Sequence, residues 1–100
     1  RMCLQCGDVL IDARKHEVTL AGEPVDLTPK EFDLLMALAS RPGELVRREE
    51  LLLDIWGLGD GLSSRTLDVH IGRLRRKIEP TADEPTLILT VPRVGYKLAA

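Results

Sequence analysis

The alternation of apolar and polar positions changes character twice along the chain. Between residues 2 and 27, short apolar pieces (Val9–Ile11, Val18–Leu20, Val25–Leu27) are separated by turn-formers such as Gly7-Asp8 and Gly22. Apolar runs this short, bounded by glycine, predict strands, and Leu20-Ala21-Gly22-Glu23-Pro24-Val25 predicts a hairpin between two of them. The segment reads as a small antiparallel sheet.

At Thr28 the period lengthens. Thr28 offers a hydroxyl N-cap, Pro29 suits the first helical position, and Glu31 completes a capping box. Phe32, Leu35, Met36 and Ala39 then recur as one apolar helical face, and Pro42-Gly43 ends the helix. A second helix is predicted from about Arg48 to Trp56, with Leu51, Leu52 and Ile55 inward. Gly57, Gly59 and Gly61 give the next loop backbone freedom. A third helix spans Ser64–Ile78 and stops near Pro80. Beyond the polar loop Thr81–Pro85, the strand Leu87–Val91, the turn Pro92–Gly95 and the return Tyr96–Leu98 form a terminal hairpin. The fold class is α+β in one domain: sheet at 2–27, helical core at 28–80, hairpin at 86–99.

The third helix carries the chemistry. At about 100° per residue, Leu67, Ile71, Leu74 and Ile78 share one narrow stripe, the core face. Opposite lie Arg65, Val69, Gly72, Arg73 and Arg76, with Thr66 and His70 on one flank and Arg75 on the other. Five Lys/Arg and one Asp give this helix +4, so the other residues carry −6 of the total −2. A solvated amphipathic helix would also look like this. Arginine in place of lysine, with the small Gly72 and Val69 among the arginines, favours a helix that enters a DNA major groove: the guanidinium forms bidentate bonds to phosphate or guanine edges. Arg93, at the tip of the hairpin, reads equally as an exposed residue of a plain surface hairpin or as a reach into a neighbouring minor groove. Trp56 reads as a core anchor, as an indole donor to a phosphate, or as both.

Composition bounds the rest. One hundred residues, 44% of them hydrophobic, suffice for one core. No apolar run approaches the ~20 residues of a membrane span, and no signal-peptide pattern is present. The first residue is Arg1, which reads as a fragment or a processed product. Cys3 and Cys6 form a lone C-x-x-C. His16 and His70 are too far along the chain to complete a zinc site with ligand spacing. On an extended strand the two thiols point to opposite faces. They read as ordinary strand cysteines in a reducing cytoplasm. No nucleophile-base pair, phosphate-binding glycine loop or cofactor motif is present, so catalysis is not expected.

Thr28-Pro29-Lys30-Glu31-Phe32-Asp33-Leu34-Leu35 resembles the opening helix of OmpR/PhoB-type response-regulator effector domains. Trp56-Gly57 resembles that family's loop entry. Arg65-Thr66-Leu67-Asp68-Val69-His70-Ile71 with Arg73-Leu74-Arg75 resembles its recognition helix, and Val94-Gly95-Tyr96-Lys97-Leu98 its wing. The resemblance covers about residues 4–98. It implies a winged helix-turn-helix with a four-stranded N-terminal sheet, a three-helix core and a C-terminal wing. It implies base contacts from Val69 and Arg73, phosphate contacts from Trp56, Arg65, Thr66, His70 and Tyr96, and further DNA contacts from Arg75, Arg76, Thr90 and Arg93. The loop Gly57, Leu58, Gly59, Asp60, Gly61, Leu62, Ser63 corresponds to the segment that meets RNA polymerase. Implied partners are double-stranded DNA with direct-repeat half-sites, a second copy bound head to tail, and a histidine kinase acting through a receiver domain upstream of this chain. No cofactor or metal is implied.

The chain departs from the family pattern in three places. The wing reads Thr90-Val91-Pro92-Arg93-Val94-Gly95-Tyr96 where T-V-R-G-x-G-Y is usual. Gly72 stands where larger residues are common, and Arg47 takes the usual Ser/Thr cap position of the second helix. Three competing readings fit the same residues. They are a DNA-binding module without a receiver (membrane-anchored or activator-type), a winged helix used for protein contacts only, and a zinc or redox role for Cys3 and Cys6.

Overall fold

A computed structural model describes residues 3–57 and 64–99. Strands β1 (Cys3–Cys6), β2 (Val9–Asp12), β3 (Glu17–Leu20) and β4 (Glu23–Val25) pair antiparallel in chain order. The register sets Leu4 opposite Ile11, Ile11 opposite Val18, and Val18 opposite Val25. Paired positions share a face, so one apolar row crosses the whole sheet. Val9, Ile11 and Val18 are buried, while Leu10 points outward. Period-two alternation also separates the cysteines: Cys3 is exposed, Cys6 half-buried, and both are free thiols. Burial, aided by the Glu79 carboxylate, pushes the Cys6 thiol up and away from thiolate character.

Helix α1 (Pro29–Ala39) starts at the predicted capping box. The Glu31 N–H donates to Thr28 Oγ1 at 3.2 Å, and the Thr28 N–H donates to Glu31 Oε1 at 3.0 Å. Its buried surface is wider than the predicted stripe: Leu34 and Leu38 are fully buried, and Met36 only partly. The reason is tertiary, because α1 packs against β1, α2, α3 and β7 and is covered on several sides.

A two-residue strand, β5 (Val46–Arg47), was not legible as a strand and leads directly into α2 (Arg48–Trp56). The Arg47 side chain makes no capping bond. The Arg48 N–H instead donates to the Val94 carbonyl at 3.0 Å, so the terminal hairpin satisfies a helix-start donor. α3 (Ser64–Ile78) follows the predicted bounds, and Leu67, Ile71, Leu74 and Ile78 are all fully buried.

Strands β6 (Ile88–Val91) and β7 (Gly95–Leu98) make the terminal hairpin, with β7 central in the order β5-β7-β6. Gly95 is required by this close approach: a Cβ there would lie 2.1 Å from the Val46 carbonyl oxygen. At the tip the Val94 N–H donates to the Val91 carbonyl at 3.0 Å, and Arg93 holds a φ of +65°. Proline followed by a residue of positive φ is the pattern of a type II turn, whose third position favours glycine.

Candidate nucleic-acid interface

Helix α3 divides around its circumference into a core stripe, two tethered flanks and one unattached face. On one flank, Lys77 Nζ donates to Glu31 Oε1 at 2.6 Å and to the Asp26 carbonyl at 3.0 Å. On that side His70 Nδ1 lies 2.8 Å from the Thr66 carbonyl. A carbonyl only accepts, so Nδ1 carries the proton and Nε2 is left for other partners. The Trp56 ring meets His70 edge-on at 4.9 Å, and Lys30 sits 5.8 Å above the same indole while bonding the Ile55 carbonyl. Trp56 is half-buried against the core.

The other flank joins the hairpin. Arg75 donates through Nε and Nη2 to the Ile88 carbonyl at 3.2 and 2.6 Å, and through Nη2 to Thr90 Oγ1 at 2.7 Å. Asp68 accepts from the Tyr96 hydroxyl at 2.5 Å and from Arg48 Nη2 at 2.9 Å. Burial alone would raise the Asp68 carboxyl, but the bonds from Arg48 and Tyr96 hold it below the usual carboxylate range. Burial, then the bond to Asp68, pushes the Tyr96 phenol above its ordinary value, so it keeps its proton at neutral pH.

Between these flanks lies the face of Arg65, Val69, Gly72, Arg73 and Arg76. The three arginines are exposed and make no hydrogen bond or ion pair among the described residues, and Val69 is 43% exposed. Gly72 opens onto space, with nothing within 4 Å of where its Cβ would stand. Arg93 is exposed at the hairpin tip and borders a cleft shared with Arg48, Glu49, Leu52 and Asp68. The hairpin tip and the Asp68 flank of α3 therefore border one cleft.

The predicted residues thus sort into two groups. Arg65, Val69, Arg73, Arg76 and Arg93 are outward and unengaged among the described residues, with Thr66, His70 and Trp56 half-buried beside them. Arg75, Thr90 and Tyr96, expected against DNA, have their polar groups in hydrogen bonds within the chain, although Thr90 itself is exposed. Tyr96 is 5% exposed, and its only hydroxyl proton goes to Asp68. In the predicted loop, Gly57 closes α2, its N–H reaching the carbonyls of Leu52 and Leu53 at 3.1 and 3.0 Å. Leu58, Gly59, Asp60, Gly61, Leu62 and Ser63 lie outside the described residues.

Sequence reasoning missed Arg48, Asp68 and Glu79. Glu79 is buried and accepts from the backbone N–H groups of Thr86, Leu87 and Ile88 at 2.8–3.1 Å, joining the end of α3 to the base of β6. One signal did exist for Asp68: it is the sole acid in a helix of five bases. Among the described residues no group of three His, Cys, Asp or Glu could hold a metal ion, and no helix is long and apolar enough to cross a membrane.

A family model described as "Transcriptional regulatory protein, C terminal" matches residues 22–98. The chain is 47% identical over 94 residues to the DNA-binding response regulator MtrA of Mycolicibacterium smegmatis, which covers 94% of this chain and 41% of that protein. The chain therefore spans less than half the length of the curated relatives it matches. Among solved structures, the Thermotoga maritima response regulator DrrB, an OmpR/PhoB homolog, superposes with a TM-score of 0.93 at 37% identity, covering 100% of this chain and 45% of that one. The Klebsiella pneumoniae RstA DNA-binding domain, solved in complex with the RstA box, gives a TM-score of 0.88 at 38% identity, covering 99% and 98%.

Proposed function

The chain belongs to the family of C-terminal domains of transcriptional regulatory proteins, and on that premise we propose that it binds double-stranded DNA sequence-specifically as the output domain of a two-component response regulator. The observation that carries this is the unattached face of α3. Three arginines and an exposed valine stand there without partners among the described residues, on a helix whose other sides are tied down. A helix held rigidly by its back and flanks, with a basic outer face, is what a major groove accepts.

In this reading α3 lies in the major groove, with Arg73 and Val69 toward the bases. Arg65, at the helix start, and Arg76 meet phosphates, as do Thr66, His70 and Trp56 beside them. The wing, 90–96, follows the backbone so that Arg93 reaches the minor groove. Thr90, Arg75 and Tyr96 act by holding the wing. The role is non-catalytic and belongs in the bacterial cytoplasm. Two copies sit head to tail on direct repeats, the segment 57–63 meets RNA polymerase, and a histidine kinase acts through a receiver domain. The likeness to MtrA and to the RstA domain supports the DNA-binding part directly.

The test is selection from a random duplex library by the 100-residue chain, followed by titration of the enriched duplex at several salt concentrations. The expected result is an enriched motif, repeated about one helical turn apart, whose log affinity falls steeply with log salt as counterions are released. No enrichment, or a flat salt response, contradicts the proposal.

A further inference from the structure

Asp68 is out of place by charge. It stands on the side of α3 nearest the wing, 49% exposed, in a helix whose other charged residues are all basic. A carboxylate on the DNA-facing half of a protein repels phosphates, so by itself it weakens binding.

Its bonds supply the offsetting role. One oxygen accepts from Tyr96 of β7, and the other from Arg48 at the start of α2, whose N–H is bonded to Val94 next to the wing tip. The carboxylate thus joins α3, α2 and the wing at one point. Seven residues further along the same flank, Arg75 makes the second attachment, to Ile88 and Thr90 of β6. The guanidiniums of Arg48 and Arg75 lie 5.9 and 5.6 Å from the Tyr96 ring. One attachment is a pivot. Two attachments about 10 Å apart along a helix (seven residues at ~1.5 Å each) fix an angle.

On the reading that α3 and the wing engage DNA together, we propose that Asp68 is a positioning residue: it locks the wing at a fixed angle to the recognition helix, so that Arg93 reaches its groove when Arg73 is seated in the other. Pre-setting that angle removes an ordering cost that would otherwise be met at the moment of binding. Asp68 touches no DNA in this role and acts through Arg93.

A double-mutant cycle separates this from a general contribution to folding. Duplex affinity is measured for the unmutated chain, Asp68→Ala, Arg93→Ala and the double variant, at a temperature where melting curves show all four folded. Coupled sites are non-additive, so Asp68→Ala should cost about tenfold in the unmutated background and at most about twofold once Arg93 is gone. Asp68→Asn, whose amide oxygen still accepts from Tyr96 or Arg48, should recover most of the loss. If Asp68→Ala does not fold, the same cycle is run with Tyr96→Phe, which removes the wing bond and keeps the Arg48 pair.

An equal loss in both backgrounds overturns the proposal, because the effect then does not pass through the wing. Unchanged or tighter binding by Asp68→Ala overturns it as well, and would mean that the carboxylate masks Arg48 and Tyr96 from phosphate. Failure of the unmutated chain to bind any selected duplex removes the DNA reading itself and this inference with it. Binding by the unmutated chain with an additive cycle removes this inference alone.

Discussion

The ammonium of Lys77 sits 2.6 Å from the carboxylate of Glu31, whose side chain is 2% exposed, and ties α3 to the capping box of α1. Glu31 therefore serves two helices at once, accepting from the Thr28 backbone N–H and from Lys77. Burial acts to raise its carboxyl, but the Lys77 and Thr28 hydrogen bonds overcome that and leave it below the ordinary carboxylate range.

That direction sets a pH dependence. A carboxyl with a lowered folded-state pKa adds stability that is fully present above its unfolded value, near 4.3. The stability is lost as pH falls through the folded value. Unfolding by urea at a series of pH values should show stability falling below about pH 4.3. Glu31→Gln should cost about 1.5–3 kcal/mol at neutral pH, the range for a hydrogen bond to a charged group, and should flatten the acid limb. An unchanged acid limb in Glu31→Gln would mean that other carboxyls carry it.

Gly72 offers a second test, because stability and binding should move in opposite directions. Glycine inside a helix costs about 0.5–1 kcal/mol relative to alanine, and no neighbour occupies the space a methyl would fill. Gly72→Ala should therefore stabilise the chain by about that amount in urea unfolding. If α3 lies deep in a groove, the added methyl should weaken binding to the selected duplex. Tighter binding together with higher stability would place Gly72 away from the DNA.

At the wing tip, Arg93 holds a left-handed backbone that suits glycine. Arg93→Gly should relieve that strain and stabilise the fold by about 0.5–1 kcal/mol, after allowing for the entropy glycine loses on folding. It should also weaken duplex binding, and lower the salt slope by about one if Arg93 meets a phosphate. Binding that is unaffected would remove Arg93 from the interface.

The parts of this fold legible in the sequence are those governed by local chemistry. Thr28, Pro29 and Glu31 announce a helix start because capping is settled within four residues. Leu67, Ile71, Leu74 and Ile78 mark the back of α3 because a period of 3.6 needs no tertiary knowledge. The β5 strand was not legible, since Val46 and Arg47 are too few to show a period and pair only because β7 lies alongside. Leu34 and Leu38 escaped the single-stripe reading because α1 is covered on several sides. In the candidate site, angular position separated Arg65, Arg73 and Arg76 correctly as outward. It could not show that Tyr96 and Asp68, 28 residues apart, share a hydrogen bond, or that Arg75 spends its donors on β6. Those pairings depend on where the hairpin packs, which no local pattern encodes.

Whether α3 reads bases is decided by comparing Arg73 with Arg65. Both are exposed on the unattached face and off the core stripe, so neither alanine variant should disturb folding. Arg65 lies in the first turn, where backbone N–H groups and the helix dipole also favour a phosphate. Arg73 lies two turns further on, one turn after the exposed Val69. Binding curves for both variants on the selected duplex and on a scrambled one, at several salt concentrations, should differ in kind. Arg65→Ala should weaken binding to both duplexes alike and lower the salt slope by about one. Arg73→Ala should cost about 1–3 kcal/mol on the selected duplex, much less on the scrambled one, and relax preference at one or two base pairs. An equal loss on both duplexes for Arg73→Ala would make Arg73 a phosphate contact and contradict base reading by α3.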